Sequence, residues 1–179
     1  MENLETSPKP SFLKISFKYG VLIGLGLIAA SILFQFVFPD KGRTNLVVSI
    51  LIMLVGLYLA SKTWRDYYKE GYLSYNQALG FGSLTFFFAS LVLGFFTFLL
   101  YQFLYPQGLE NALLEAEKGI LETNPNITEQ ELELALSISR TFINPIVMGL
   151  LSTLFYSFLG FLGSLISSAL VKREKPYEV

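Results

Sequence analysis

The distribution of charged residues constrains this chain more than any other feature, because four long stretches contain none. They cover residues 19–39, 44–61, 71–109 and 141–171. An unpaired charge is costly in hydrocarbon, so uncharged, mostly apolar runs of about 18 residues or more are typical of membrane-spanning helices. The sequence therefore predicts a multi-pass membrane protein whose partner is the lipid bilayer.

We predict four spans at about residues 14–38, 45–63, 79–105 and 145–171, within a single membrane domain covering residues 1–179. Pro39 begins a polar turn after the first span. A Ser74-x-x-Gln77 capping box precedes the third, and Asn144-Pro145 begins the fourth as N-cap and first helical residue. The predicted fold class is all-α: an integral membrane four-helix bundle with an extracytoplasmic amphipathic helical hairpin between spans 3 and 4.

The hairpin is predicted at about residues 109–143, in a glutamate-rich segment. Asn124-Pro125-Asn126 interrupts it, and Thr128-x-x-Glu131 restarts a helix as a second capping box. Four apolar residues then alternate at period two, as they would in a strand: Leu132, Leu134, Leu136 and Ile138. Glu, Leu and Ala favour a helix, so we expect helix here. The carboxylates could bind Ca²⁺ or a basic partner, but the residue order of an EF-hand loop is absent and a solvated helical face is the expected interpretation.

The composition excludes several chemistries. The chain has no cysteine and no histidine, so thiolate nucleophiles, imidazole bases and the usual zinc ligand sets are absent. We expect no catalytic residue, no cofactor and no metal site, and hence a protein that is not an enzyme. No Asp, Glu, Lys or Arg lies within the four charge-free stretches, which disfavours ion-coupled transport but leaves a passive pore open. Without a basic cluster, we expect no nucleic-acid partner.

The lysines and arginines near the spans are unevenly distributed. One side would carry nine, namely Lys9, Lys14, Lys18, Lys62, Arg65, Lys69, Lys172, Arg173 and Lys175. The other side would carry four, namely Lys41, Arg43, Lys118 and Arg140. The positive-inside rule therefore predicts a cytoplasmic (inner) membrane protein with both termini in the cytoplasm and the acidic hairpin outside.

Two helix faces carry small residues at spacings of three or four. They comprise Gly20 and Gly24 on the first span, and Gly149, Thr153, Ser157, Gly160, Ser164 and Ser168 on the fourth. Small side chains let a neighbouring backbone approach closely, so these residues predict helix packing within the bundle. A homo-oligomer interface is the second interpretation, and a substrate path the third.

The loop between the second and third spans is the densest polar cluster at a membrane boundary. Its candidate site residues are Trp64, Arg65, Asp66, Gly71, Ser74 and Gln77. It could bind a lipid headgroup or a cytoplasmic partner. The structural interpretation is an anchoring loop in which Gly71 permits a turn before the capping box.

Residues 64–79, WRDYYKEGYLSYNQAL, also carry a family resemblance. This stretch, the Tyr105-Pro106 end of the third span, the acidic insert and the basic tail resemble the bacterial membrane family named domain of unknown function 4199 (DUF4199). The resemblance covers about residues 12–175. It implies a four-helix bacterial inner-membrane protein and supplies no activity and no functional residue.

Two functions from different classes remain as hypotheses. The first is a non-enzymatic structural or partner-binding membrane component, acting through a homo-oligomer or another membrane protein. The alternative is a small channel, facilitator or lipid-handling protein whose bundle encloses a path. The sequence feature that favours the first hypothesis is the small-residue face of the fourth span.

Overall fold

The computed structural model describes residues 11–36 and 42–175, and the all-α prediction is confirmed. The helices are α1 (Phe12–Phe36), α2 (Gly42–Tyr68), α3 (Tyr75–Leu99), α4 (Gln107–Thr123), α5 (Glu129–Phe142) and α6 (Pro145–Val171). A π-helical turn, Leu100–Leu104, continues α3. Of the turn predicted at residues 39–42, residues 39–41 lie outside the described residues, and Gly42 is the first residue of α2 rather than part of a turn.

Four helical segments are long and apolar enough to cross a membrane. They are Phe12–Phe34, Leu46–Tyr68, Tyr75–Leu104 and Pro145–Val171. Many large apolar side chains on these segments point away from the protein; Leu154 and Leu170, for example, are each 68% exposed. In water such a surface would aggregate, whereas in lipid it is well solvated and the helical backbone satisfies its own hydrogen bonds. The protein is therefore embedded in a membrane through four helices.

Helix α2 extends to Tyr68, five residues beyond the predicted end of the second span at residue 63. The extension has a packing reason, because Trp64 and Tyr68 are one turn apart and their rings stack at a centroid distance of 5.4 Å. Trp64 and Tyr68, which lie beyond the predicted end of the second span, therefore belong to the helix itself.

Helix α3 begins at the predicted capping box. The Ser74 amide donates to Gln77 Oε1 at 3.3 Å, and the Gln77 amide donates to Ser74 Oγ at 3.4 Å. With the π-helical turn the helical segment has 30 residues, which at 1.5 Å per residue is roughly 45 Å and longer than a hydrocarbon layer of about 30 Å. A span of this length must tilt or protrude from the bilayer.

The glutamate-rich insert forms two packed helices, α4 and α5. Residues 132–138, whose alternation resembles a strand, are helical in α5. Thr128 caps that helix by accepting from the Glu131 amide, while the Thr128 amide donates to Glu131 Oε2 at 3.0 Å. The cap and the helix-forming composition thus override the period-two pattern.

Removing this cap should loosen the first turn of α5. Thr128→Ala is expected to cost about 1 kcal/mol of local stability. Amide hydrogen exchange at residues 131–133 should accelerate about fivefold, whereas Thr123→Ala at the end of α4 should leave those amides unchanged. Equal exchange in the two variants would contradict the cap.

The same cap should depend on pH. Hydrogen bonds from the Thr128 amide and hydroxyl lower the pKa of Glu131 below its ordinary value of 4.5. A lowered folded-state pKa means that the stabilisation is fully present above pH 4.5 and is lost as the pH falls through the lower, folded value. Normalised exchange of the α5 first turn should therefore accelerate in acid, and Glu131→Gln should flatten that dependence.

The chain divides into two compact units. Among the described residues, one contains those up to Val92 together with those from Tyr156 onward, and the other contains Leu93–Phe155. The first unit holds a hydrophobic cluster that includes Ile15, Trp64, Leu73, Phe81 and Val171. The second holds the end of α3, the α4–α5 hairpin and the start of α6.

Candidate functional site

The loop after α2 is shaped by two consecutive residues with positive φ. Glu70 has φ 56° and Gly71 has φ 81°. These angles reverse the chain so that the Arg65 carbonyl accepts from both the Lys69 amide, at 3.3 Å, and the Gly71 amide, at 3.0 Å. A left-handed conformation is strained for residues with a Cβ, which explains the glycine at the second position.

The tail after α6 is fixed to this loop. Leu73 and Arg173 form an isolated antiparallel bridge in which each amide donates to the other residue's carbonyl at 2.8 Å. Arg65 Nη1 donates to the Val171 carbonyl at 3.0 Å and so satisfies a backbone acceptor at the end of α6. Its Nε donates to Asp66 Oδ1 at 2.7 Å. One side chain therefore holds the end of α6 against the end of α2, next to the loop.

Loop and tail together form what we call the loop–tail surface, consisting of residues 68–77 and 173–175. Most of these residues line an open pocket of about 480 Å³. Arg173 and Lys175 lie over the Tyr72 ring at 5.8 and 5.9 Å from its centroid. Lys175 also pairs with Glu70 at 3.8 Å. Within this surface, the Tyr72 ring is surrounded by charged side chains. The backbone pairing of Leu73 with Arg173 holds the two segments that carry them in place.

Beneath this surface lies an aromatic cluster, defined by Phe12, Trp64, Tyr68 and Phe81. Trp64 stacks on Phe81 with a centroid distance of 5.1 Å and an interplanar angle of 9°, and meets Phe12 edge-on at 5.6 Å. Lys69 Nζ lies 5.7 Å from the Trp64 ring centroid. Trp64 is 6% exposed, so it is a packing residue of the interior and does not contact solvent as an interfacial anchor would.

The predicted loop residues fall into three groups. Arg65, Asp66 and Gly71 come together at the turn. Ser74 and Gln77 form the cap of α3, and both line the pocket. Trp64 supports the loop from below. Sequence reasoning missed the tail as a component of the site, and with it Tyr72, Leu73, Val171 and Arg173.

The small-residue face of the first span packs on α3. A Cβ added to Gly20 would lie 2.5 Å from the Thr85 carbonyl oxygen and 2.6 Å from Phe88 Cβ. One added to Gly24 would lie 3.1 Å from Val92 Cβ. The face is therefore filled within the chain.

The small-residue face of the fourth span packs on α3 in both units. In the first unit, Ser157 Oγ and Ser90 Oγ are 2.6 Å apart, Gly160 lies against the Phe86 ring and Ser164 lies against Gly82. In the second unit, Gly149 and Thr153 lie against Gly94. Ser168 is buried at 1% exposure. The complementary residues on α3, missed from the sequence, recur every four positions: Gly82, Phe86, Ser90 and Gly94.

The backbone pairing between the loop and the tail should depend on Arg65. Arg65→Gln removes charge-assisted bonds, a class that contributes about 1.5–3 kcal/mol. The Leu73 and Arg173 amides should therefore exchange at least tenfold faster in this variant. Lys172→Gln, which removes an exposed neighbouring charge, is the matched control. Unchanged protection in Arg65→Gln would mean that the bridge holds without the guanidinium.

Within residues 11–36 and 42–175, no group of three acidic side chains comes close enough to hold a metal ion. The contacts of the loop–tail surface supply hydrogen bonds, an aromatic ring and charged groups. Backbone pairing and cation–π contact of this kind can bind a ligand or a protein segment.

Comparison with known proteins identifies the family. The family described as "Protein of unknown function (DUF4199)" matches residues 18–173. The chain belongs to the DUF4199 family. No curated protein and no solved structure matches it. The family match includes the loop, α3, the hairpin, α6 and the bridge residue Arg173, and confirms the resemblance carried by residues 64–79.

Proposed function

We propose that this DUF4199 protein is a non-enzymatic component of the cytoplasmic membrane that binds a partner protein at its loop–tail surface. The observation that carries the proposal is the Leu73–Arg173 bridge, because it fixes an otherwise loose tail against the membrane-boundary loop. Rigid, pre-ordered surfaces lose little conformational entropy on binding, which favours recognition.

The charges near this surface support a cytoplasmic location. Lys62 and Arg65 lie near the end of α2 and Lys69 follows it, while Lys172, Arg173 and Lys175 follow α6. Two separate segments therefore bring cations to one end of the first unit. Cytoplasmic loops carry such an excess. Both termini are accordingly proposed to lie in the cytoplasm and the hairpin outside.

The partner is proposed to be a different protein, and the small-residue faces are not its binding surface. Those faces are filled by α3 of the same chain. The same packing argues against a substrate path along these two faces, because α3 occupies them. We therefore place partner binding at the loop–tail surface and do not carry the channel hypothesis further.

Photo-crosslinking in native membranes tests this proposal. A photoreactive phenylalanine at Glu174, which is exposed on the surface, is expected to yield a discrete protein adduct. The adduct should disappear in Arg65→Gln, which frees the tail, and persist in Lys172→Gln. A probe at Glu122 in the hairpin is the control. Lipid adducts alone at position 174, or the same protein captured from position 122, would overturn the proposal.

A further inference from the structure

A second surface of the first unit lies between α1 and α2, on the outside of the bundle. It is an open groove of about 480 Å³ lined by Tyr19, Leu22 and Ile23 from α1 and by Val55, Gly56 and Leu59 from α2. Leu22, Val55 and Leu59 are each more than half exposed. Because both helices span the membrane, the groove opens into lipid, and its apolar lining matches a hydrocarbon chain.

The contacts between the two helices give the direction of the groove. Phe12 meets Trp64 at 5.6 Å, and a Cβ at Gly26 would lie 3.8 Å from Ile52. The helices are thus antiparallel, with the start of α1 beside the end of α2. Ile23 packs on Gly56, where a Cβ would lie 2.8 Å from Ile23 Cγ1, so the helices approach closely at the floor of the groove.

Lysines stand at one end of this groove. Lys18 is one helical turn before Leu22, and Lys62 is three residues after Leu59. Each lysine therefore lies on the same helix face as the groove-lining residues, and both lie towards the same membrane boundary. Lys14 lies one turn further along α1. All three are exposed, and none forms an ion pair with another described residue. Asp66, one turn beyond Lys62, is already bonded by Arg65.

We infer that the groove binds an anionic phospholipid, with an acyl chain along α1 and α2 and the phosphate between Lys18 and Lys62. Long lysine side chains near a span end reach the headgroup layer, and basic pockets between spans on the cytoplasmic side favour anionic headgroups. The charges also disfavour a second copy of this chain as the occupant. A symmetric pairing through the groove would bring two sets of unpaired lysines together.

Native mass spectrometry of the full chain with bound lipid tests this inference. The protein is purified in mild detergent and equilibrated with equal amounts of phosphatidylglycerol and phosphatidylcholine of identical acyl chains. The wild type is expected to retain phosphatidylglycerol in preference to phosphatidylcholine. Lys18→Gln and Lys62→Gln should each lower that preference about fivefold. In the double variant the two reductions in preference should multiply.

Two controls separate the site from general membrane affinity. Lys118→Gln removes a cation from the hairpin and should leave the preference unchanged. Val55→Trp fills the groove and should reduce retention of both lipids, whereas Ile50→Trp, at an exposed apolar position of α2 outside the groove, should not. Helix content and elution volume identify any variant that fails to fold.

Three results would overturn the inference. The first is an unchanged preference in the Lys18→Gln/Lys62→Gln variant with intact helix content. The second is equal loss of lipid in Val55→Trp and Ile50→Trp. The third is a dimer that Val55→Trp converts to a monomer, which would assign the groove to a second copy. None of these results depends on whether a protein binds the loop–tail surface.

Discussion

Trp64→Ala is expected to lower the free energy of unfolding by about 3–5 kcal/mol, the range for deleting a buried aromatic side chain. Trp64 contacts α1 through Phe12 and α3 through Phe81, and stacks on Tyr68 within α2. Its removal leaves a cavity where three helices meet, and the surrounding side chains can fill it only partly. The loop–tail surface above the cluster should loosen as well.

Reversible unfolding in mixed micelles with increasing denaturing detergent measures this change. Tyr67→Ala is the matched control, because Tyr67 is an aromatic residue of the same helix turn but is 81% exposed. It should change stability by less than about 0.5 kcal/mol, as substitutions at exposed sites usually do. Similar losses in the two variants would show that Trp64 does not join the helices as described.

Gly20→Val should have the second-largest effect, a loss of about 3 kcal/mol at the upper end of the range for overpacking. Most of the atoms with which a side chain at this position would clash belong to the backbone of α3. A Cβ at this position would lie 2.5 Å from the Thr85 carbonyl oxygen and 3.2 Å from the Ala89 amide nitrogen. Since neither atom can rotate away, α1 and α3 would have to separate, and the contacts around them would be lost.

Gly80→Val supplies the comparison. Gly80 also lies inside a helix, but a Cβ there would meet nothing within 4 Å. The intrinsic helix propensities are the same in both substitutions, so the difference in unfolding free energy isolates the helix–helix contact. Equal stabilities for the two variants would contradict the close approach of α1 and α3.

Much of this fold follows from the sequence because its signals are local. Charge-free stretches mark the spans, and three side-chain caps, at Ser74, Thr128 and Asn144, mark helix starts. Each cap is present: Asn144 Oδ1, for example, accepts from the Ile146 and Val147 amides at 3.0 and 3.1 Å. Capping depends on residues three apart, so neighbouring sequence is enough to predict it.

The tail contact could not be predicted in this way. Leu73 and Arg173 pair through backbone atoms, which every residue except proline offers, and they are a hundred positions apart in the chain. Arg65 likewise bonds a carbonyl 106 positions away. By contrast, the four-residue repeat of Gly82, Phe86, Ser90 and Gly94 is visible in the sequence and could have indicated the face of α3 that receives α6.

The topology of single-cysteine variants tests the account most directly, because the natural chain has no cysteine to confuse the labelling. Cysteines are placed singly at Tyr67, Glu122 and Glu174, all exposed, and labelled in intact cells with a membrane-impermeant maleimide before and after permeabilisation. We expect position 122 to react in intact cells, and positions 67 and 174 to react only after permeabilisation. Labelling of positions 122 and 174 from the same side would contradict a fourth span and, with it, the arrangement described here.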